Sequence, residues 1–224
     1  SMYANVTSLS ESPVQEGLLY AGTDDGLIQV TEDNGANWRR FDRFAAVPAE
    51  SFVNDVKADL FDADTVYAAF DNRKFGDFAP YVFVSRDRGQ TWRSIAGDLP
   101  EREVVHALMQ DHVESDLLFA GTEFGLYVTV DHGEQWVRLK GGLPTIQVRD
   151  IDIQRRENDL ALGTFGRGFY VLDDYTPLRH VSEEALGNDW ILFPVRDALL
   201  YVEKRSRQGS RGHGFFTAAN PPFG

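Results

Sequence analysis

An eight-residue pattern, hydroxyl-x-Asp-x-Gly-x-x-Trp, occurs three times in this chain. It reads TEDNGANW at 31–38, SRDRGQTW at 85–92 and TVDHGEQW at 129–136. The three tryptophans are 54 and 44 positions apart. Self-similarity at roughly 40–50 residues marks an array of like supersecondary units stacked on one another.

A second repeat precedes each pattern. LYAGTDDG at 19–26 matches LFAGTEFG at 118–125, and VYAAF at 66–70 holds the same place in the middle unit. LALGTFG at 160–166 opens a fourth copy, continued by FYVLD at 169–173. Asp173 stands ten residues after Gly163, as Asp131 stands ten after Gly121. The Gly and Trp of the pattern are then lost, so the fourth unit is atypical, as terminal repeats often are.

Each unit parses as four strands. In the third these are 104–110, 117–122, 126–130 and 135–139, separated by turn signals at Glu-Ser-Asp, Glu-Phe-Gly and Asp-His-Gly. No segment carries a helical period, and 181–189 holds one helical turn at most. Sixteen Phe, eight Tyr and four Trp suit β structure. The predicted fold is all-β: a propeller segment over 3–202 with four-stranded blades at about 5–43, 51–97, 103–142 and 147–202. Residues 190–202 read as further strand. The Arg/Ser/Gly-rich 203–214 reads as a flexible linker, and 215–224 as the start of a following domain. Four blades with a degraded last one leave two end blades exposed, which predicts association of two copies or closure by further blades.

The pattern has a mechanical explanation. Asp33, Asp87 and Asp131 can accept hydrogen bonds from turn N–H groups. Gly35, Gly89 and Gly133 can take positive φ. Trp38, Trp92 and Trp136 open the outer strand and can bury a large surface on a neighbouring sheet. These roles are structural.

These hairpins resemble the Asp-box, or bacterial neuraminidase repeat, family. AGTEFGLYVTVDHGEQW at 120–136 and LALGTFGRGFYVLDDYTPLR at 160–179 resemble the sortilin-like propellers of large bacterial secreted proteins. The resemblance spans about residues 5–200. It implies a propeller of more blades than these, an extracellular or periplasmic location, and a protein, peptide or glycan ligand. Other Asp-box families are sialidases and two-propeller xyloglucanases, so a glycoside hydrolase is the alternative to a non-catalytic binding module.

Composition removes several classes. A net charge of −13 argues against nucleic acid, because nothing here would displace counterions from phosphates. With no cysteine, disulfides, thiolate metal sites and a Cys nucleophile are excluded. No apolar run approaches the roughly 20 residues of a membrane helix, so no membrane insertion is expected. None of the five histidines forms an HxH or HExxH spacing, and no metal is expected. His106, in an apolar strand, reads as a packing or hydrogen-bonding residue. GTFGRG at 163–168 lacks the Lys-Ser/Thr of a phosphate loop and precedes no helix, so no cofactor is expected.

In such blades, the second-to-third-strand turns and the crossovers between blades share one face, opposite the box turns. That face would carry Asp24, Asp25, the insertion 71–80, Glu123, Phe124 and Arg167. The inner strands would add Asn54, Asp55, His106, Arg149 and Asp150. A glycosidase needs two carboxylates roughly 5–10 Å apart. Asp24, Asp55, Glu123 and Asp150 are candidates by place alone. Arg73, Phe75 and Phe78 form an aromatic-basic candidate patch for a ligand, with Phe124, Arg149 and Arg167 beside it. The Arg-Ile-Pro motif that a sialidase resemblance would require is absent. The leading expectation is a binding module within a larger exported protein.

Overall fold

The structure, a computed structural model, describes residues 5–182, 187–195 and 197. Ser1–Asn188 form one compact unit and Asp189–Gly224 a second. The first holds four antiparallel sheets. Blade 1 contains β1 (Val6–Glu11), β2 (Leu19–Thr23), β3 (Ile28–Thr31) and β4 (Arg39–Phe41). Blade 2 contains β5 (Phe52–Ala58), β6 (Val66–Asn72), β7 (Asp77–Ser85) and β8 (Arg93–Ser94). Blade 3 contains β9 (Val105–Gln110), β10 (Leu118–Thr122), β11 (Leu126–Thr129) and β12 (Val137–Leu139). Blade 4 contains β13 (Val148–Gln154), β14 (Asp159–Thr164) and β15 (Phe169–Leu172). In every sheet the strands pair in sequence order.

The fourth blade has three strands rather than four among the described residues. After β15 the chain turns into a short 3₁₀ helix, Thr176–His180. Residues 190–195 and 197, expected as further strand, carry no regular structure. The rest of 190–202, the expected linker 203–214 and the segment 215–224 lie outside the described residues.

Three apolar clusters hold consecutive blades face to face. Blade 1 meets blade 2 through Tyr20, Ile28 and Val30 against Val53, Val56 and Phe70. Blade 2 meets blade 3 through Ala69, Val82 and Val84 against Val105, Leu108 and Trp136. Blade 3 meets blade 4 through Phe119, Leu126 and Val128 against Val148, Ile151 and Leu162. Side chains alternate across a strand, so each strand lends one set to the preceding blade and the other to the next.

The boxes fold as the sequence predicts, with an addition. In each, the Ser or Thr hydroxyl accepts the glycine N–H: Thr31 from Gly35 at 2.9 Å, Ser85 from Gly89 at 2.8 Å, Thr129 from Gly133 at 2.9 Å. The same hydroxyl donates to the aspartate at 2.8, 2.7 and 2.6 Å. The residue before glycine also has φ of 57° in Asn34, Arg88 and His132, so two successive left-handed residues make the tight hairpin.

The tryptophans differ. Trp136 is 5 % exposed and its Nε1–H donates to the Ile95 carbonyl on blade 2 at 2.8 Å. Trp92 meets Phe44 edge-on at 5.6 Å between ring centres. Trp38 is 44 % exposed, contrary to the expectation of a buried box tryptophan. The ring packs on the preceding blade, and blade 1 has none among the described residues.

The insertion 71–80 extends the blade 2 hairpin instead of forming a loose loop. β6 runs to Asn72, which pairs with Asp77 of β7 across the 3₁₀ turn Arg73–Phe75. Gly76 closes that turn at φ 80°.

Candidate functional site

On the face opposite the boxes, a cleft of about 580 Å³ is lined by Phe52, Asn54, Asp71, Arg73, Lys74 and Arg149. It lies where the starts of β5 and β13 meet the tip of the long blade 2 hairpin. Strand geometry explains the convergence. Asn54, His106 and Arg149 occupy successive inner strands, each one residue beyond Val53, Val105 and Val148, and each inner strand has a bulge at this level.

His106 is the hub behind the cleft. Its side chain is 1 % exposed. Nε2 lies 3.0 Å from Glu123 Oε2, and Nδ1 lies 3.0 Å from Arg149 Nη1. A guanidinium only donates and a carboxylate only accepts. The ring is therefore the neutral tautomer with its proton on Nε2, donating to Glu123 and accepting from Arg149. A second proton would point Nδ1–H at the Arg149 N–H. Burial, together with Arg149 and Arg73, pushes the His106 pKa down to about 4 against the pull of Glu123.

Glu123 is enclosed by donors. Gln147 donates to Oε2 at 2.6 Å and Arg73 Nη1 approaches it at 3.4 Å. Burial raises its pKa, but the hydrogen bonds from His106 and Gln147 and the nearby positive charge outweigh it, so the carboxyl sits below its usual range. Arg73 also donates through Nε to Asp71 Oδ2 at 2.6 Å. One guanidinium thus spans both carboxylates.

The structure brings Arg73, Glu123 and Arg149 together as one site, through His106. The other candidates lie elsewhere. Asp55 turns into the contact between inner strands, accepting Leu108 N–H at 2.9 Å and Ser8 Oγ–H at 3.0 Å. Burial raises its pKa, with Lys57 and these hydrogen bonds opposing. Asp24 holds Asn5 at the start of blade 1 through two bonds of 3.0 and 2.8 Å. Asp25 accepts from Thr23 Oγ1. Asp150 is exposed and accepts from the Ile151 N–H. Phe75 is 61 % exposed beneath the Lys74 ammonium, 5.1 Å away. Phe78 packs under Arg102 at 5.1 Å. The Phe124 carbonyl is held by Arg138 at 2.5 Å. Arg167 is exposed in the β14–β15 turn and does not line the cleft.

Phe52, Lys74 and Gln147 were missed by the sequence reading. Lys74 sits inside the insertion and Gln147 in a crossover, so their neighbourhoods were marked though the residues were not. Among the described residues no group of three acidic or histidine side chains could hold a metal ion, and no helix is long and apolar enough to cross a membrane.

Four antiparallel sheets stacked face to face, three of them four-stranded and closed by a Ser/Thr-Asp-Gly hairpin, define a segment of β-propeller built mainly from Asp-box blades. Residues 83–94, the blade 2 hairpin, match the BNR/Asp-box repeat family. No curated protein matches the chain in sequence. Solved structures share the fold. The GH74 enzyme of Niastella koreensis superposes with a TM-score of 0.60 at 13% identity, over 76% of this chain and 29% of that one. YCF48 bound to D1 peptide gives 0.58 at 14% identity, over 77% and 52%. The Cps50 (Swd1) β-propeller domain of Myceliophteria thermophila gives 0.54 at 17% identity, over 75% and 51%. This chain spans about half or less of each of these.

Proposed function

We propose that this propeller segment is a non-catalytic binding module of a larger exported protein, and that its cleft takes an anionic ligand, best met by an acidic peptide. The observation that carries this reading is the state of the ionisable groups. Both carboxylates at the cleft are engaged by Arg73, Glu123 is held ionised, and His106 is neutral with both ring nitrogens satisfied. A glycosidase acid needs a raised pKa, and the cleft arrangement drives its carboxylate the other way. What the cleft offers instead is three lining cations against one lining acid, Asp71, beside Phe52, with Glu123 bonded to Arg73 behind it. In a chain of net charge −13 such a local reversal of sign focuses an anion. Arg149 is exposed, and His106 Nδ1 orients its guanidinium for bidentate capture of a carboxylate. A peptide-bound propeller among the structural neighbours, YCF48 with D1 peptide, agrees with this reading.

Calorimetric titration with a short Asp/Glu-rich peptide, its neutral Asn/Gln counterpart and a xyloglucan oligosaccharide tests the reading. The acidic peptide should bind, more weakly at higher salt. Arg149→Ala should weaken it roughly ten- to hundredfold, the ratio of one charge-assisted hydrogen bond. Oligosaccharide hydrolysis that disappears in Glu123→Gln would establish the glycosidase alternative.

A further inference from the structure

The two end blades carry the two halves of a contact that the chain makes three times internally. Register fixes the equivalences. Val6, Val53, Val105 and Val148 pair with Thr23, Phe70, Thr122 and Thr164, and each is followed by a bulge. Three residues on stand Leu9, Val56, Leu108 and Ile151. In blades 2, 3 and 4 these pairs are driven into the preceding blade and are buried: Val53 and Val56 at 0 %, Leu108 at 4 %, Ile151 at 2 %. In blade 1 the same two positions stand open, Val6 at 62 % and Leu9 at 63 %.

The receiving side repeats as well. The slot that admits the valine is made by a small residue on the second strand: Gly22, Ala69, Gly121 and Gly163. A Cβ on Gly22 would stand 2.4 Å from Val53, and one on Gly121 would stand 2.9 Å from Val148. A Cβ on Gly163 would meet only Asp150 of its own sheet. Beside the slot lie Ile28 and Val30, Val82 and Val84, Leu126 and Val128, all buried against the next blade. Their blade 4 equivalents, Phe169 and Val171, are 78 % and 53 % exposed.

A backbone hydrogen bond repeats on the same plan. Val56 N–H donates to Ser8 Oγ on the preceding blade, and Leu108 N–H donates to Asp55 Oδ2, both at 2.9 Å. Asp150 holds the corresponding place on blade 4, and Leu9 N–H is the donor that corresponds on blade 1.

We propose that the blade 4 face receives blade 1 of a second copy of this chain, and that two copies joined head to tail close a ring of eight blades. The knobs Val6 and Leu9 enter the slot at Gly163 between Phe169 and Val171, Asp150 accepts the Leu9 N–H, and Trp38 gains the preceding blade it lacks. Exposed, contiguous apolar faces of this kind mark interaction surfaces, and a heterologous contact is satisfied in full only when its rotation closes. Eight blades fall at the upper end of the common range for propellers, roughly four to eight.

Sedimentation of the 224-residue chain should give twice the 25.2 kDa of one copy. Leu9→Asp, a substitution on an exposed position, should leave the far-UV spectrum unchanged and halve the mass. Gly163→Val fills the slot and should do the same. Mixing these two variants should restore a two-copy species held by one intact contact, that of the Gly163→Val chain's blade 1 on the Leu9→Asp chain's blade 4. A wild-type chain of single-copy mass up to 100-fold above the working concentration overturns the proposal. So does a two-copy species that both variants leave intact, and so does a mixture that stays monomeric, since a like-on-like pairing of faces predicts no rescue.

Discussion

The two ends of the sheets follow opposite rules. At the box end three turns repeat, and in each the hydroxyl, the aspartate and the glycine N–H bond within their own hairpin. At the cleft end no two blades agree: the residue after the first inner valine is Thr7, Asn54, His106 or Arg149. Thr7 Oγ donates to the Val53 carbonyl and Asn54 Nδ2 to the Val105 carbonyl, both at 2.7 Å, so the first two bridge one blade to the next. His106 and Arg149 instead meet each other, and His106 also meets Glu123. Box residues that recur in blades 1, 2 and 3 are accounted for by folding, whereas a buried histidine held between an arginine and a glutamate is not. That contrast directs the functional reading to the cleft.

The largest effect that would sharpen this contrast sits inside the repeat itself. Trp136 and Trp38 hold the same box position, but only Trp136 is buried on a preceding blade. Trp136→Ala should cost about 3–5 kcal/mol of unfolding free energy, as large aromatic truncations in cores do. Trp38→Ala, measured in the Leu9→Asp background so that only single copies are present, should cost less than about 1 kcal/mol, as exposed positions do. Equal costs in urea melts would show that the box ring serves its own hairpin and not the neighbouring blade.

The fold was legible because its signal is periodic. Box spacing, paired upstream motifs and turn residues place the sheets and both kinds of loop. The fourth blade was the exception. Its box is replaced by Tyr175 and Arg179, which reach back to the fully buried Asp111 of blade 3, Arg179 bidentately at 2.8 Å through both nitrogens. A lock between residues 68 positions apart leaves no local pattern, and the sequence reading continued the chain into a strand instead. The cleft was half legible for the same reason. Arg73, Glu123 and Arg149 were placed on the right face by topology. Their hub, His106, joins partners 17 and 43 residues away, and a strand of apolar neighbours gave it only a generic hydrogen-bonding role.

A middle-sized effect tests the cleft end through pH. The folded-state pKa of His106, about 4, lies below the ordinary 6.5, so between these values the unfolded chain binds the extra proton. Its contribution is fully present above pH 6.5 and is lost as pH falls toward 4, by up to roughly 3 kcal/mol from the linkage relation. His106→Gln retains a donor and an acceptor for Glu123 and Arg149. It should flatten the stability profile between pH 6.5 and 4 relative to wild type. Parallel profiles for the two proteins would mean that the imidazole is solvated when folded and that the hub does not exist.

The smallest effect belongs to the box aspartates and appears lower on the pH scale. In Asp33 the hydrogen bonds from Asn37 hold the pKa down. In Asp87 and Asp131 burial pulls upward, but the turn hydrogen bonds prevail. A depressed carboxyl stabilises the fold above its ordinary value of 3.8 and loses that contribution as pH falls through its folded value. Asp87→Ala removes bonds to Ser85 Oγ, Thr91 N–H and Thr91 Oγ. It should cost about 1–2 kcal/mol near neutrality, comparable to loss of a helix cap. The cost should shrink below pH 3.8, where the wild-type carboxyl protonates and begins to forfeit the same bonds, while the interval between pH 6.5 and 4 that reports on His106 keeps its wild-type slope. If Asp87→Ala changed that upper interval as well, the two ends of the sheet would be coupled through the strands, and the separation of a structural end from a functional one would fail.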